Sequence, residues 1–304
     1  MRSFRFLLAI SVLVLFIFGA LPFPTAAVAS ESSYPLEFTD SRDRTIVLDQ
    51  EPQRIVSLAP SVTETVFALG AGDRLVGRTD FGNYPPAARN VPSVGTLTTP
   101  NTETIVSLEP DLVIASNHFT RAALAGLERA GLTVAIIYGG DSFEAVYQGI
   151  RDIAGLLNTR PEAEAIISKM RGTVAAVQER VAGVERPRVY YAVGFGQGGD
   201  YTAGGNTFVG RLLEMAGGRN IAADLDGWAY SLEKVVAGDP DIVLVSEHYG
   251  MPEQLRSAQG YRELRAVQNG RVRPIDNDMI DRPGPRLAQG LRELAAAIHP
   301  ELFE

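Results

Sequence analysis

The sequence predicts an α/β protein made of two similar halves braced by one long helix. Three observations lead there. First, "ETIVSLEPDLVIASNHF" (103–119) and "EKVVAGDPDIVLVSEHY" (233–249) align without a gap at an offset of 130 residues. In each, a short helical segment ends in acid-Pro-Asp, and an uninterrupted apolar run follows. Such runs are typical of strands buried on both faces of a parallel sheet, and the Pro-Asp turn stops the helix and starts the strand. Second, "TETVFALGAGDRLVG" (63–77) is echoed by "RLLEMAGGRNIAAD" (211–224). Both read as an amphipathic helix closed by glycine, the residue that adopts a left-handed C-cap most cheaply, followed by a short strand. Third, residues 161–182 contain no internal proline after Pro161. Ile166, Ile167, Met170, Val174, Val177 and Val181 form one apolar stripe. About 22 residues at 1.5 Å each give a rod of about 33 Å, long enough to brace two halves.

The remaining elements follow in order. "PLEFTDSRDRTIVL" (35–48) alternates around a polar turn and reads as a hairpin. "RIVSL" (54–58) and "TVAIIY" (133–138) are strands of the first half, and "SFEAVYQGIRDIAGLLN" (142–158) is the helix before the strut. "RVYYAV" (188–193) and "RVRPI" (271–275) are strands of the second half, and "RLAQGLRELAAAIH" (286–299) is a closing amphipathic helix. Strands alternating with helices define α/β lobes. The expected division is a leader at 1–29, a first lobe at 30–140, linking helices at 141–183 and a second lobe at 184–304.

Composition narrows the function classes. Apolar residues make up 45% and charged residues 21% of 304, the range of a globular chain with a real core. The first thirty residues carry Arg2 and Arg5, an uncharged apolar run from Phe6 to Leu21, and Ala27-Val28-Ala29. That is the pattern of a secretory signal peptide, and the run is short for a membrane span. Its removal takes two arginines and leaves 26 basic against 36 acidic residues, a net charge of −10. An acidic exported chain is poorly suited to nucleic acid. No cysteine occurs, so disulfides, thiolate metal sites and a lipid-bearing cysteine are not expected. A free periplasmic protein is.

"YYAVGFGQGGDYTAGGNTF" (190–208) contains G-x-G-x-x-G at Gly194, Gly196 and Gly199, directly after a strand. A dinucleotide site needs a helix to open at the third glycine. Here a polar loop follows, and Asn206 is the natural N-cap of the next helix. The stretch therefore reads as a loop whose glycines admit a bulky ligand, with Phe195 and Tyr201 touching it. No G-x-S-x-G, H-E-x-x-H or Walker loop occurs. A nucleotide-dependent enzyme is the rival from a different class, resting on those glycines alone.

"PQRIVSLAPSVTETVFALGAGDRLVG", "NYPPAA" and "VGTLTTPNTETIVSLEPDLVIAS", followed by "YTAGGNTFVGRLLEMAGGRNIAAD" and "MIDRPGPRLAQGLRELA", resemble the periplasmic substrate-binding proteins for iron complexes and cobalamin. The resemblance spans roughly residues 35–300. It implies two Rossmann-like α/β lobes joined by a single backbone helix, with a ligand held between them and little hinge motion. It implies no catalysis and no intrinsic cofactor. The partner it implies is the permease dimer of an ABC importer, approached by a monomeric binding protein. It places permease-docking glutamates at Glu64 and Glu214. Exposed rim charges of this kind steer association and orientation.

Within that family the chain most resembles cobalamin-binding members. Trp228 falls where such a protein puts a cleft tryptophan, Phe81 and Tyr84 fall on an aromatic pair at the first-lobe rim, and Asp278, Met279 and Arg282 fall on a second-lobe loop that reaches the ligand. A corrinoid is wide, partly apolar and fringed with amides, which suits aromatic faces and a few polar donors. Leu97 stands where an aromatic residue is expected. His118 and His248 occupy matching places in the repeat, followed by Phe119 and Tyr249, just past a strand's carboxyl end where open α/β sheets hold ligands. They are candidate axial ligands, and haem, with Tyr84, Tyr201 or Tyr249 as further candidates, is the alternative ligand. A ferric siderophore is the third. Two histidines without a third ligand do not close a zinc or manganese site, so no protein metal site is expected.

Overall fold

The structure is a computed structural model that describes residues 34–303 apart from 118 and 139. The expected leader 1–29 and His118 lie outside the described residues. Contacts gather Tyr34–Glu304 into one compact unit, so the boundaries expected near 140 and 184 fall inside it.

The chain opens with the antiparallel hairpin β1 (Leu36–Thr39) and β2 (Thr45–Leu48). Then come β3 (Ile55–Ser57), α1 (Pro60–Ala68), β4 (Leu75–Arg78), α2 (Thr102–Ser107), β5 (Leu112–Ala115), α3 (Arg121–Arg129) and β6 (Val134–Ile136). Helices α4 (Phe143–Leu157) and α5 (Arg160–Arg180) lead to β7 (Arg188–Ala192), β8 (Asp200–Tyr201), α6 (Phe208–Met215), β9 (Arg219–Asn220) and β10 (Ala229–Tyr230). The chain closes with α7 (Leu232–Gly238), β11 (Ile242–Ser246), α8 (Met251–Ser257), α9 (Arg265–Gln268), β12 (Val272–Ile275), α10 (Asp278–Asp281) and α11 (Leu287–Ile298).

Two four-stranded sheets form, both parallel, in the orders β4-β3-β5-β6 and β9-β7-β11-β12. The second half thus repeats the topology of the first, as the sequence echo predicts. The echo has a physical cause at its Pro-Asp turns. The Asp111 carboxylate accepts the backbone N–H of Gln53 at 2.8 Å and of Arg54 at 3.0 Å. Asp241 accepts the backbone N–H of Arg188 at 2.9 Å. Each aspartate therefore ties the start of one central strand to its neighbour. Just before these turns, Glu109 (φ 47°) and Asp239 (φ 39°) adopt the left-handed backbone that ends each helix.

Side-chain alternation along the strands sorts the core. Ile55, Leu112 and Ile114 face one way, and Val56, Val113 and Ala115 the other. The first set joins a single cluster that continues through Ile150, Ile167 and Met170 to Leu212, Leu244 and Leu291. One apolar core is therefore shared by both sheets through α4, α5 and α11. The strut α5 is 21 residues, about 32 Å, with Ala163, Ile167, Met170 and Val177 buried. Parting the two halves widely would expose this shared core to water, which opposes large hinge motion.

Two local expectations are corrected. Thr207, not Asn206, caps α6, its hydroxyl accepting the N–H of Gly210 at 2.9 Å. The Asn206 side chain is occupied elsewhere, accepting the N–H of Gly227 at 2.8 Å. The loop glycines also serve a different neighbour. A Cβ at Gly204 would stand 2.3 Å from the Leu225 carbonyl oxygen, so the close approach is to the chain that carries Trp228.

Candidate functional site

The carboxyl ends of the two sheets meet through the segments that leave their strands. After β4, Asn83 and Tyr84 touch Arg282 and Arg286, which follow β12. Arg282 donates to the Asn83 side-chain oxygen at 3.0 Å, and the Arg286 guanidinium lies 3.9 Å from the Tyr84 ring centre. Phe143 at the start of α4 meets Phe208 at the start of α6 edge to face, with ring centres 5.9 Å apart.

Exposed aromatic rings gather in these carboxyl-end segments. Among the described residues, the large aromatic side chains left exposed are Phe81, Tyr84, Tyr138, Tyr201, Trp228 and Tyr249. Phe81 and Tyr84 follow β4, Tyr138 follows β6, Tyr249 follows β11, and Tyr201 and Trp228 are joined across the β8–β10 ribbon. An aromatic side chain normally goes inside, so rings left exposed in the segments after the strands of both halves are candidates for binding. Tyr249 is the extreme case, 83% exposed and held at φ 56°, a left-handed conformation strained for a bulky residue. Five of these rings are expected from the sequence. Tyr138 is not, although its place at the end of "TVAIIY", at the carboxyl end of a parallel strand, was the available signal.

Several expected contacts lie elsewhere. Phe119 is 2% exposed and packs in the core of the first sheet with Val113 and Leu124. Met279 is also buried. Phe195 is half-buried against Tyr261, with ring centres 5.6 Å apart. Leu97 is half-buried against the shared core. The polar loop ahead of α6 holds β8 where a dinucleotide site would need a helix, so the glycines at 194, 196 and 199 are not a pyrophosphate cradle.

The two candidate docking glutamates are not alike. Glu64, expected at the rim, is 3% exposed. Its Oε1 accepts from Arg282 at 2.9 Å and from Arg286 at 2.7 Å, and its Oε2 accepts from Arg286 at 2.8 Å. Arg282 also pairs with Asp278 at 2.5 Å, and Arg286 stands 3.5 Å from Asp276. Burial works against the charge on Arg286, but the hydrogen-bonded Glu64 carboxylate, with Asp276 and Tyr84 nearby, more than offsets it and the pKa is raised. Arg282 and Asp278, expected at the ligand, are therefore members of a charged knot joining the two halves. The inward position of Glu64 follows from its helix: Val62, Thr63, Thr65 and Val66 around it are buried as well. Glu214, by contrast, keeps a half-exposed side chain, paired with Arg186 at 2.5 Å and accepting the Asn220 N–H at 2.8 Å.

A separate cavity of about 370 Å³ opens on the strut side of Glu64, lined by Phe67, Lys169, Met170 and Arg286 among others. Of the exposed rings only Tyr84 borders it, so it is distinct from the aromatic surface.

Comparison with known proteins shows the family. The family described as "Periplasmic binding protein" matches residues 55–279, and the chain belongs to it. A "Cobalamin-binding protein" of Halobacterium salinarum is 36% identical over 88% of this chain and 75% of its own length. An uncharacterized ABC transporter substrate-binding lipoprotein of Bacillus subtilis is 32% identical over 89% of this chain and 88% of its own. The solved apo structure of a periplasmic heme-binding protein from Roseiflexus sp. superposes with a TM-score of 0.76 at 30% identity, covering 82% of this chain and 99% of that one. Among the described residues no helix is long and apolar enough to cross a membrane.

Proposed function

We propose that the protein is the solute-binding component of an ABC import system that captures a corrinoid, such as cobalamin, and delivers it to a membrane permease. The observation that carries this is the set of exposed rings at the carboxyl ends of both sheets. A wide, flat, partly apolar ligand with amide edges is what such a surface holds best. The cobalamin-binding relative supports the corrinoid. Haem is the second reading, favoured by the four exposed tyrosines Tyr84, Tyr138, Tyr201 and Tyr249 and by the heme-binding relative.

In this reading residues 1–29 direct export to the periplasm, the mature chain is a monomer, and the site binds without catalysing. The permease partner, a dimer, is met through Glu214, whose half-exposed carboxylate can steer an arginine-bearing surface. Glu64, buried, holds the two lobes in register. The test is optical. Purified protein without residues 1–29 is titrated with cyanocobalamin, hemin and a ferric siderophore, following the visible spectrum and Tm. Ligand at 100 Kd stabilises the folded state by about 2.7 kcal/mol, so a raised Tm with cyanocobalamin is expected. A shift with hemin alone would select haem, and no shift with any of the three would overturn the reading.

A further inference from the structure

His248 and Asp276 follow neighbouring strands. Ser246 of β11 pairs with Ile275 of β12, which brings the two side chains together. The His248 Nε2 lies 3.6 Å from Asp276 Oδ1, too far for a hydrogen bond. It finds no hydrogen-bond partner among the described residues, and the atom itself is buried although the side chain as a whole is 41% exposed. Glu247, adjacent in the chain and exposed, adds a second carboxylate. One donor atom from each of the three lies within 4.8 Å of the other two. An imidazole nitrogen shut away from water without a partner is costly, and so are two carboxylates brought together beside it. A dication relieves both at once.

We infer that Glu247, His248 and Asp276 form a binding site for a first-row divalent transition ion. One imidazole nitrogen and two carboxylate oxygens suit zinc, cobalt, nickel or manganese, and three protein ligands leave positions open to water or solute. The ligands are held from behind. Asp276 Oδ1 accepts the Asp278 N–H at 3.0 Å, Arg286 flanks its other oxygen at 3.5 Å, and the Ser246 hydroxyl accepts the His248 N–H at 3.2 Å. Such outer contacts orient metal ligands. Donors bonded at about 2.1 Å in a tetrahedral site stand about 3.4 Å apart, so donor atoms now within 4.8 Å of one another would draw in by at most about 1.4 Å. The site goes beyond the proposed transport function and does not depend on it.

The experiment uses the purified chain stripped with EDTA. Cobalt(II) is followed by its visible d–d absorption and zinc(II) by calorimetry. One equivalent of each is expected, with His248→Ala and Asp276→Asn each weakening binding by at least about tenfold. Glu263→Gln, an exposed acid outside the cluster, is expected to leave it unchanged. Circular dichroism checks the fold of each variant. If Asp276→Asn unfolds because Arg286 loses a partner, Glu247→Gln at the exposed ligand must show the loss instead. No uptake of either ion, or equal uptake by the His248→Ala variant, overturns the inference. Cyanocobalamin titration in EDTA reads the aromatic surface separately, so failure there leaves the ion site standing.

Discussion

Glu64 and Glu214 sit on helices that echo each other in sequence and in topology, α1 after β3 and α6 after β7, yet they do opposite work. Glu64 is sealed from solvent between two arginines drawn from the far end of the chain. Glu214 stays at the surface with one arginine from its own half. The difference teaches that a repeat copies the scaffold, while the environment of each copied side chain is set by what the rest of the chain lays over it. The arginines of the segment 282–286 reach the carboxylate of the first helix.

That contrast can be broken most sharply at Glu64. Glu64→Ala takes away the buried carboxylate shared by two guanidinium groups, leaving Arg282 with Asp278 and Arg286 with the more distant Asp276, a loss of about 3 kcal/mol and a Tm drop on the order of 10 °C. Denaturant unfolding measures it, and a loss below about 1 kcal/mol would mean that the knot is solvated. Replacing Glu64, Arg282 and Arg286 together by Leu, Met and Met should recover part of the single-variant loss, because apolar residues of similar volume remove the buried charges while Asp276 and Asp278, which lose their arginines, keep some access to water.

A parallel pair separates core from rim among the aromatics. Phe119→Ala should cost about 3–5 kcal/mol through the cavity it leaves. Trp228→Ala should change stability by no more than about 0.5 kcal/mol while weakening cyanocobalamin roughly tenfold or more. Unchanged affinity would remove Trp228 from the binding surface. A similarly small stability effect is expected at Glu214→Ala. An exposed pair of this kind contributes about 0.2–1 kcal/mol, so folding and ligand affinity should hold while uptake into cells falls. Full uptake with that variant would move docking elsewhere.

Much of the fold was legible in advance. The strut, both central strands and the hairpin follow from periodicity, because burial on one face or both leaves a signature along the chain. The matching Asp111 and Asp241 turns were visible as an echo even before their hydrogen bonds were known. The site was legible in part. Phe81, Tyr84, Tyr201, Trp228 and Tyr249, expected at the ligand, stand exposed, but Phe119 follows the same motif position as Tyr249 and is buried, since the first copy folds its ring inward. Asp276 was missed beside His248 because it follows the next strand, and strand adjacency is a pairing fact that no local spacing reveals, whereas Glu247 was there to be read next to His248 in the sequence.

By itself the sequence determined that this protein has two parallel α/β halves and a long brace, because those follow from local propensity and apolar period. Which carboxylate is buried, which rings face water and which three donors crowd together were decided only by the tertiary structure. Burial is a property of the surface that covers a residue, and here that surface arrives from more than 200 positions away, as when Arg282 closes over Glu64 at a separation of 218.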